Sequence, residues 1–177
     1  MTVDELRDSA ILGRVVERVE ATNRFCGETL LQKSAYFLKE MFGAPISAPF
    51  RIYYYGPFSF DLRDTLVTME ALDIVQTAPH EWGATYKIGK RYEQVEQQFH
   101  RTLERVEPGI NWVLRELAPL GVKDLEPLAT ALFLRRENEK ASLDDLAERL
   151  HQIKPHVSVD AARRAIGKVE RWMADGC

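Results

Sequence analysis

Along this chain apolar residues recur mostly at helical spacing, and they alternate in strand fashion only within the first half. Over residues 3–21, Leu6, Ile11, Val15, Val16 and Val19 share one face, with acids early and arginines later. That pattern predicts an amphipathic first helix. "GETLLQKSAYFLKEMFG" predicts a second. Leu31, Ala35, Leu38 and Phe42 line its apolar face, Leu30, Phe37 and Met41 widen it, and Gln32, Tyr36 and Lys39 share another stripe. Gly43 and Pro45 end it in the order expected at a helix C-terminus.

Residues 50–55 alternate with period two, which predicts a strand. Phe50, Ile52 and Tyr54 would face the core, leaving Arg51, Tyr53 and Tyr55 on the other face. Gly56-Pro57 should break this strand, and Ser59 is placed to cap a helix with Asp61 in its first turn. Leu62, Leu66, Met69 and Leu72 would be buried on that helix. "DIVQTAPHEWGATYKIG" then reads as two short strands around a turn at 79–83.

From Lys90 to Leu117 the spacing is helical again, with Pro108 expected to start a new helix. The last third predicts three helices. The first buries Leu125, Leu128, Leu132 and Phe133, with Pro127 in its first turn. "SLDD" at 142–145 resembles a capping box, Lys154-Pro155 stops the short helix it opens, and Ser158 caps a last helix. The order of elements predicts a mainly α (α+β) fold. Residues 1–90 would form a winged-helix-like part with a small antiparallel sheet, and residues 91–177 a helical C-terminal part able to pack with it as one unit.

Composition narrows the function classes. The 177 residues carry a formal charge of −3, so no overall basic field draws the chain to nucleic acid or membrane. No apolar run approaches the ~20 residues of a membrane span, and the polar, acidic start is unlike a signal peptide. Cys26, beside Phe25, reads as a small core residue and Cys177 as part of a tail, so a reduced, cytoplasmic protein is expected. His80, His100, His151 and His156 are scattered without metal-ligand spacing. Glycine-rich phosphate loops and nucleophile elbows are missing from the sequence. The reading is a non-enzymatic protein with no metal, no cofactor and no catalytic residue.

"LLQKSAYFLKE" followed some 20 residues later by "YYYGPFSFDL" resembles the YwgA-like family of small prokaryotic proteins. More distantly it resembles the Panacea domain of SocA-like antitoxins. The shared pattern is a Leu-Gln-Lys helix, here Leu31, Gln32 and Lys33, facing a Tyr-Gly-Pro turn, here Tyr55, Gly56 and Pro57. "IKPHVSVDAARRAIGKV" is similar to YwgA-like C-termini. The first resemblance implies a winged-helix-like fold, and the second implies toxin neutralisation by contact or an adaptor role. Neither implies a catalytic residue.

Two kinds of partner then compete. A DNA-binding regulator is the alternative to a protein-contact module, but the helix before the hairpin carries Asp61, Asp64, Glu70 and Asp73 against Arg63 alone. Affinity for phosphates comes largely from lysine and arginine, so residues 61–73 disfavour ordinary winged-helix docking. Arg163, Arg164, Lys168 and Arg171 on the last helix are the better nucleic-acid candidates, although cations also favour a helix C-terminus for its dipole. For a protein partner or self-association the candidates are Tyr53, Tyr55, Phe58 and Trp82, because tyrosine and tryptophan supply large, rigid contact area. Trp82 falls at the tip of the predicted hairpin, where packing alone gives little reason for an indole.

Overall fold

The computed structural model describes residues 1–175; Cys177, expected in a tail, lies outside them. The fold is mainly helical with two small antiparallel hairpins. In chain order come α1 (Val3–Glu20), α2 (Glu28–Phe42), β1 (Arg51–Tyr53), β2 (Gly56–Phe58), α3 (Phe60–Ala71), β3 (Val75–His80) and β4 (Gly83–Ile88). Then follow α4 (Tyr92–Gln98), α5 (His100–Glu116), α6 (Val122–Glu137), α7 (Leu143–Ile153) and α8 (Val159–Ala174).

The helix ends follow local chemistry. Thr2 and Glu5 close a reciprocal capping box on α1, and Ser59, Ser142 and Ser158 cap α3, α7 and α8 through their hydroxyls. Gly43 ends α2 at φ +60°, in the left-handed region that favours glycine. No helix among the described residues is long and apolar enough to cross a membrane.

At the centre lies α2, buried on nearly every side from Leu30 to Leu38. It packs against α1, α3, α5 and α6. Phe37 meets Trp112 of α5 and Trp172 of α8, and these indoles contact each other edge-on at 5.0 Å. The apolar residues of the two halves therefore belong to one core. Ion pairs fasten its rim: Arg14 reaches Glu96 at 2.7 Å, Arg18 pairs with Glu107, and Arg135 of α6 pairs with Glu170 of α8.

Several expectations need correction. The expected strand at 50–55 stops at Tyr53; Tyr54 and Tyr55 form a tight turn, and Gly56-Pro57 is not a break but the start of β2. The sheet is not one unit, because β1 pairs only with β2 and β3 only with β4. Tyr54 is no core residue: it is 74% exposed, since alternation ends where the chain reverses. Leu72 is exposed as well, at the C-cap of α3 where the buried stripe has run out. Pro108 does not start a helix but sits inside α5; the break falls at Phe99, whose φ of −112° leaves the helical region. Pro127 lies one turn later in α6 than expected, because the helix begins at Val122.

Candidate functional site

The turn between β1 and β2 is fixed from inside by polar side chains on three helices. Gln32 of α2 pairs both ways with the backbone of Ser59: Ser59 N donates to Oε1 at 3.0 Å, and Nε2 donates to Ser59 O at 2.9 Å. Ser59 in turn accepts from Leu62 N, so one residue joins α2, β2 and the start of α3. Lys33, only 1% exposed, donates from Nζ to Pro57 O at 2.9 Å. Pro57 has no N–H, so its carbonyl is the one main-chain polar group it offers, and the lysine satisfies it.

The C-terminal half grips the other side of the same turn. Lys154, at the C-cap of α7, donates to Tyr53 O at 3.0 Å and also to Tyr54 O. Its ammonium forms a buried ion pair with Glu126 of α6 at 2.9 Å, and His156 Nε2 lies 3.4 Å from the same carboxylate. Gly56, at φ +84°, brings β2 against α6. A Cβ there would stand 2.9 Å from Thr130 Oγ1 and 3.3 Å from Glu126 O. Burying ammonium groups is costly unless carbonyls and a carboxylate surround them, which is the environment found here. Burial pushes the Lys33 pKa down to about 8, the Lys154 charge adds to this, and Glu126 and Glu28 oppose it.

The outer face of this anchored turn is aromatic. Tyr53 packs on Tyr54, Phe58 and Phe60 with centroids 4.7, 5.8 and 5.3 Å apart, while Tyr54 and Tyr55 stand in solvent. Phe58 and Phe60 are half-buried and contact each other edge-on. The Arg51 guanidinium lies over Phe60 at 5.3 Å, and Arg63 lies over both phenylalanines. Three exposed tyrosines and two arginines on a fixed backbone make a surface able to form contacts with little ordering cost.

Of the interface residues expected from sequence, Tyr53, Tyr55 and Phe58 fall on this surface; Trp82 does not share a ring contact with them. It is 70% exposed at the β3–β4 tip and packs on Phe25 and His80 at 5.8 and 5.1 Å. The basic residues of α8 are partly engaged within the fold. Arg163 pairs with Asp144 at 2.8 Å and Asp160 at 3.1 Å, and Lys168 lies over Trp172 at 4.8 Å. Arg164 and Arg171 are exposed.

The anchoring residues Gln32, Lys33, Glu126 and Lys154 were not singled out as site residues from sequence. The available signal was the placement of Gln32-Lys33 within the apolar run "LLQKSAYFL", where solvated polar residues would not be expected on a buried helix. His156, one of the four scattered histidines, is exposed yet touches the buried carboxylate. No family model matches the chain, and no curated protein matches it.

Proposed function

We propose that this protein is a non-enzymatic interaction module of the antitoxin, adaptor or defence-associated type, binding a protein partner through the Tyr53–Tyr55 turn. The observation that carries this reading is the contrast at that turn. Its backbone carbonyls are held by the buried ammonium groups of Lys33 and Lys154, while its tyrosine rings project outward. Buried charge is expensive, and its use here is to preorganise a display of aromatic area.

The likeness to YwgA-like and Panacea proteins supports the same reading, because the residues carrying it, Gln32, Lys33 and Tyr55-Gly56-Pro57, belong to the turn or its anchor. The winged-helix reading of residues 1–90 draws support from the order α2, α3, β3, β4, with the last two as the wing. β1 pairs with β2 and not with the wing, which departs from that pattern.

The test is affinity capture with the tagged full chain from its native host, with partners identified by mass spectrometry. A stoichiometric partner retained by Trp82→Ala and lost by Tyr53→Ser/Tyr54→Ser is the expected result. A monodisperse monomer that captures nothing, or a partner indifferent to both tyrosines, overturns the reading.

A further inference from the structure

Away from the tyrosine turn, a half-open cavity of about 800 Å³ lies between the β3–β4 tip, the α1–α2 loop and the first turns of α2 and α6. We propose that this cavity binds a small organic anion, a carboxylate or phosphate monoester carried on a flat aromatic body.

Three rings build one wall. Phe25 meets His80 at 4.8 Å and Trp82 at 5.8 Å, and His80 meets Trp82 at 5.1 Å. Tyr86 and Leu30 extend this apolar lining. The volume lies within the ~300–1,000 Å³ usual for small-molecule sites. Trp82, 70% exposed at a hairpin tip, gains a use there as a face for stacking.

Donors reach the same space from three places. Arg24, in the α1–α2 loop, lines the cavity and makes no ion pair among the described residues. One Nη donates to Leu114 O at 3.2 Å, and the rest of the guanidinium fork has no protein partner. α2 and α6 both begin at the cavity on a glycine, Gly27 and Gly121, without a side-chain cap. Among the described residues, the main-chain N–H groups of Thr29 and Leu30 at one start, and of Val122 and Lys123 at the other, meet no acceptor. Shape does not require glycine at 121: its φ is −80°, and a Cβ there would meet nothing within 4 Å. A serine or aspartate would fit and cap α6, as Ser59, Ser142 and Ser158 cap their helices. Two open helix starts and a guanidinium fork around one aromatic cavity favour an anion.

The nearby acids do not take that place. Glu28 is the one carboxylate on the wall among the described residues. Its Oε1 is shielded from solvent, and its charge acts inward on the buried Lys33 ammonium, which it helps to keep protonated. Asp124, in the first turn of α6, does not line the cavity. His80 Nδ1 accepts from Trp82 N at 3.3 Å, so the neutral ring carries its proton on Nε2 as a further donor.

The experiment titrates the isotope-labelled full chain, near neutral pH and at low salt, with 3-phenylpropanoate, phenyl phosphate, inorganic phosphate and 2-phenylethylammonium. One or both aromatic anions should give saturable shifts at the Thr29, Leu30 and Lys123 amides and the Trp82 indole, and the tighter of the two identifies the head group. The amine should give none, and inorganic phosphate should bind about tenfold more weakly than phenyl phosphate. Arg24→Gln should weaken the anions about tenfold, which corresponds to about 1.4 kcal/mol. Gly121→Asp puts a carboxylate at the start of α6, so it should keep or raise stability in urea while abolishing the shifts. A loop with only a structural role would not separate those two readouts. Trp82→Ala should weaken binding about threefold through loss of the ring face. Tyr53→Ser/Tyr54→Ser should leave it unchanged, which separates this site from the proposed protein interface. No saturable shift with either aromatic anion up to about 20 mM, far weaker than useful recognition, overturns the proposal. So does equal binding of the amine, inorganic phosphate binding as tightly as phenyl phosphate, or binding indifferent to both Arg24→Gln and Gly121→Asp.

Discussion

The two hairpins differ in what holds them. β1–β2 has three residues per strand and buried charge behind it; β3–β4 has six per strand and is attached by ordinary main-chain and short side-chain bonds. Tyr86 N donates to Cys26 O, Cys26 N to Thr85 Oγ1, and Ile88 N to Glu20. A three-residue hairpin is not stable by itself. Its geometry is imposed by Gln32, Lys33, Glu126 and Lys154, which arrive from helices up to a hundred residues away. The longer hairpin carries its own ladder and needs less from the rest of the chain. Both expose aromatic residues at their tips, but only the first pays heavily in buried charge to hold its tip still.

The largest effect should come from breaking that charge pair on one side. Glu126→Gln leaves Lys154 buried beside its carbonyls without a counter-ion, and should cost about 3 kcal/mol or more in urea unfolding. Gly56→Ala comes next. The left-handed φ and the approach to Thr130 should together cost about 2 kcal/mol, whereas the same change at Gly83, open to solvent despite φ +118°, should cost less.

Lys33 sharpens the comparison through pH. Burial lowers its pKa from 10.5 to about 8, so between those values the unfolded chain binds a proton that the folded chain has released. The residue's contribution to stability should therefore rise with pH across that window, by on the order of 2 kcal/mol near pH 10, and be flat below it. Lys33→Met should remove this rising contribution in unfolding curves taken from pH 7 to 9. At higher pH the buried Cys26 thiol and the Tyr36 and Tyr92 phenols, held above their ordinary values, oppose it. A steeper slope in the variant would contradict the assignment.

The smallest effects should be at the displayed rings. Tyr54→Ser and Trp82→Ala should each change stability by no more than about 0.5 kcal/mol, because neither ring is part of the core. A loss several times larger at either tip would mean that the ring supports its hairpin rather than serving a ligand or partner.

Much of the helical framework was legible along the chain. The caps at Ser59, Ser142 and Ser158, the glycine stop at Gly43 and the inward stripes of α1 and α2 all follow from local signals of fixed spacing. Tyr54 was misplaced because alternation carries no information about where a hairpin turns; the reversal falls at Tyr54-Tyr55, and the Gly56-Pro57 that reads as a break begins the second strand. Pro108 was misread because the helix continues through it, with neighbouring contacts on α1 and α2 holding α5 in place.

By itself, then, the sequence determined helices, caps and the apolar faces that bury α2, since each depends on residues within a turn or two of one another. Only the tertiary structure decided that two lysines, a glutamine and a glutamate meet behind "YYYGPF". Their contacts join residues separated by 24 to 101 positions, and no local pattern records a partner that distant. It also decided that all three tyrosines face outward, Tyr54 included. That choice rests on strand pairing and on what α6 and α7 place behind the turn, because a tyrosine's own chemistry suits either side.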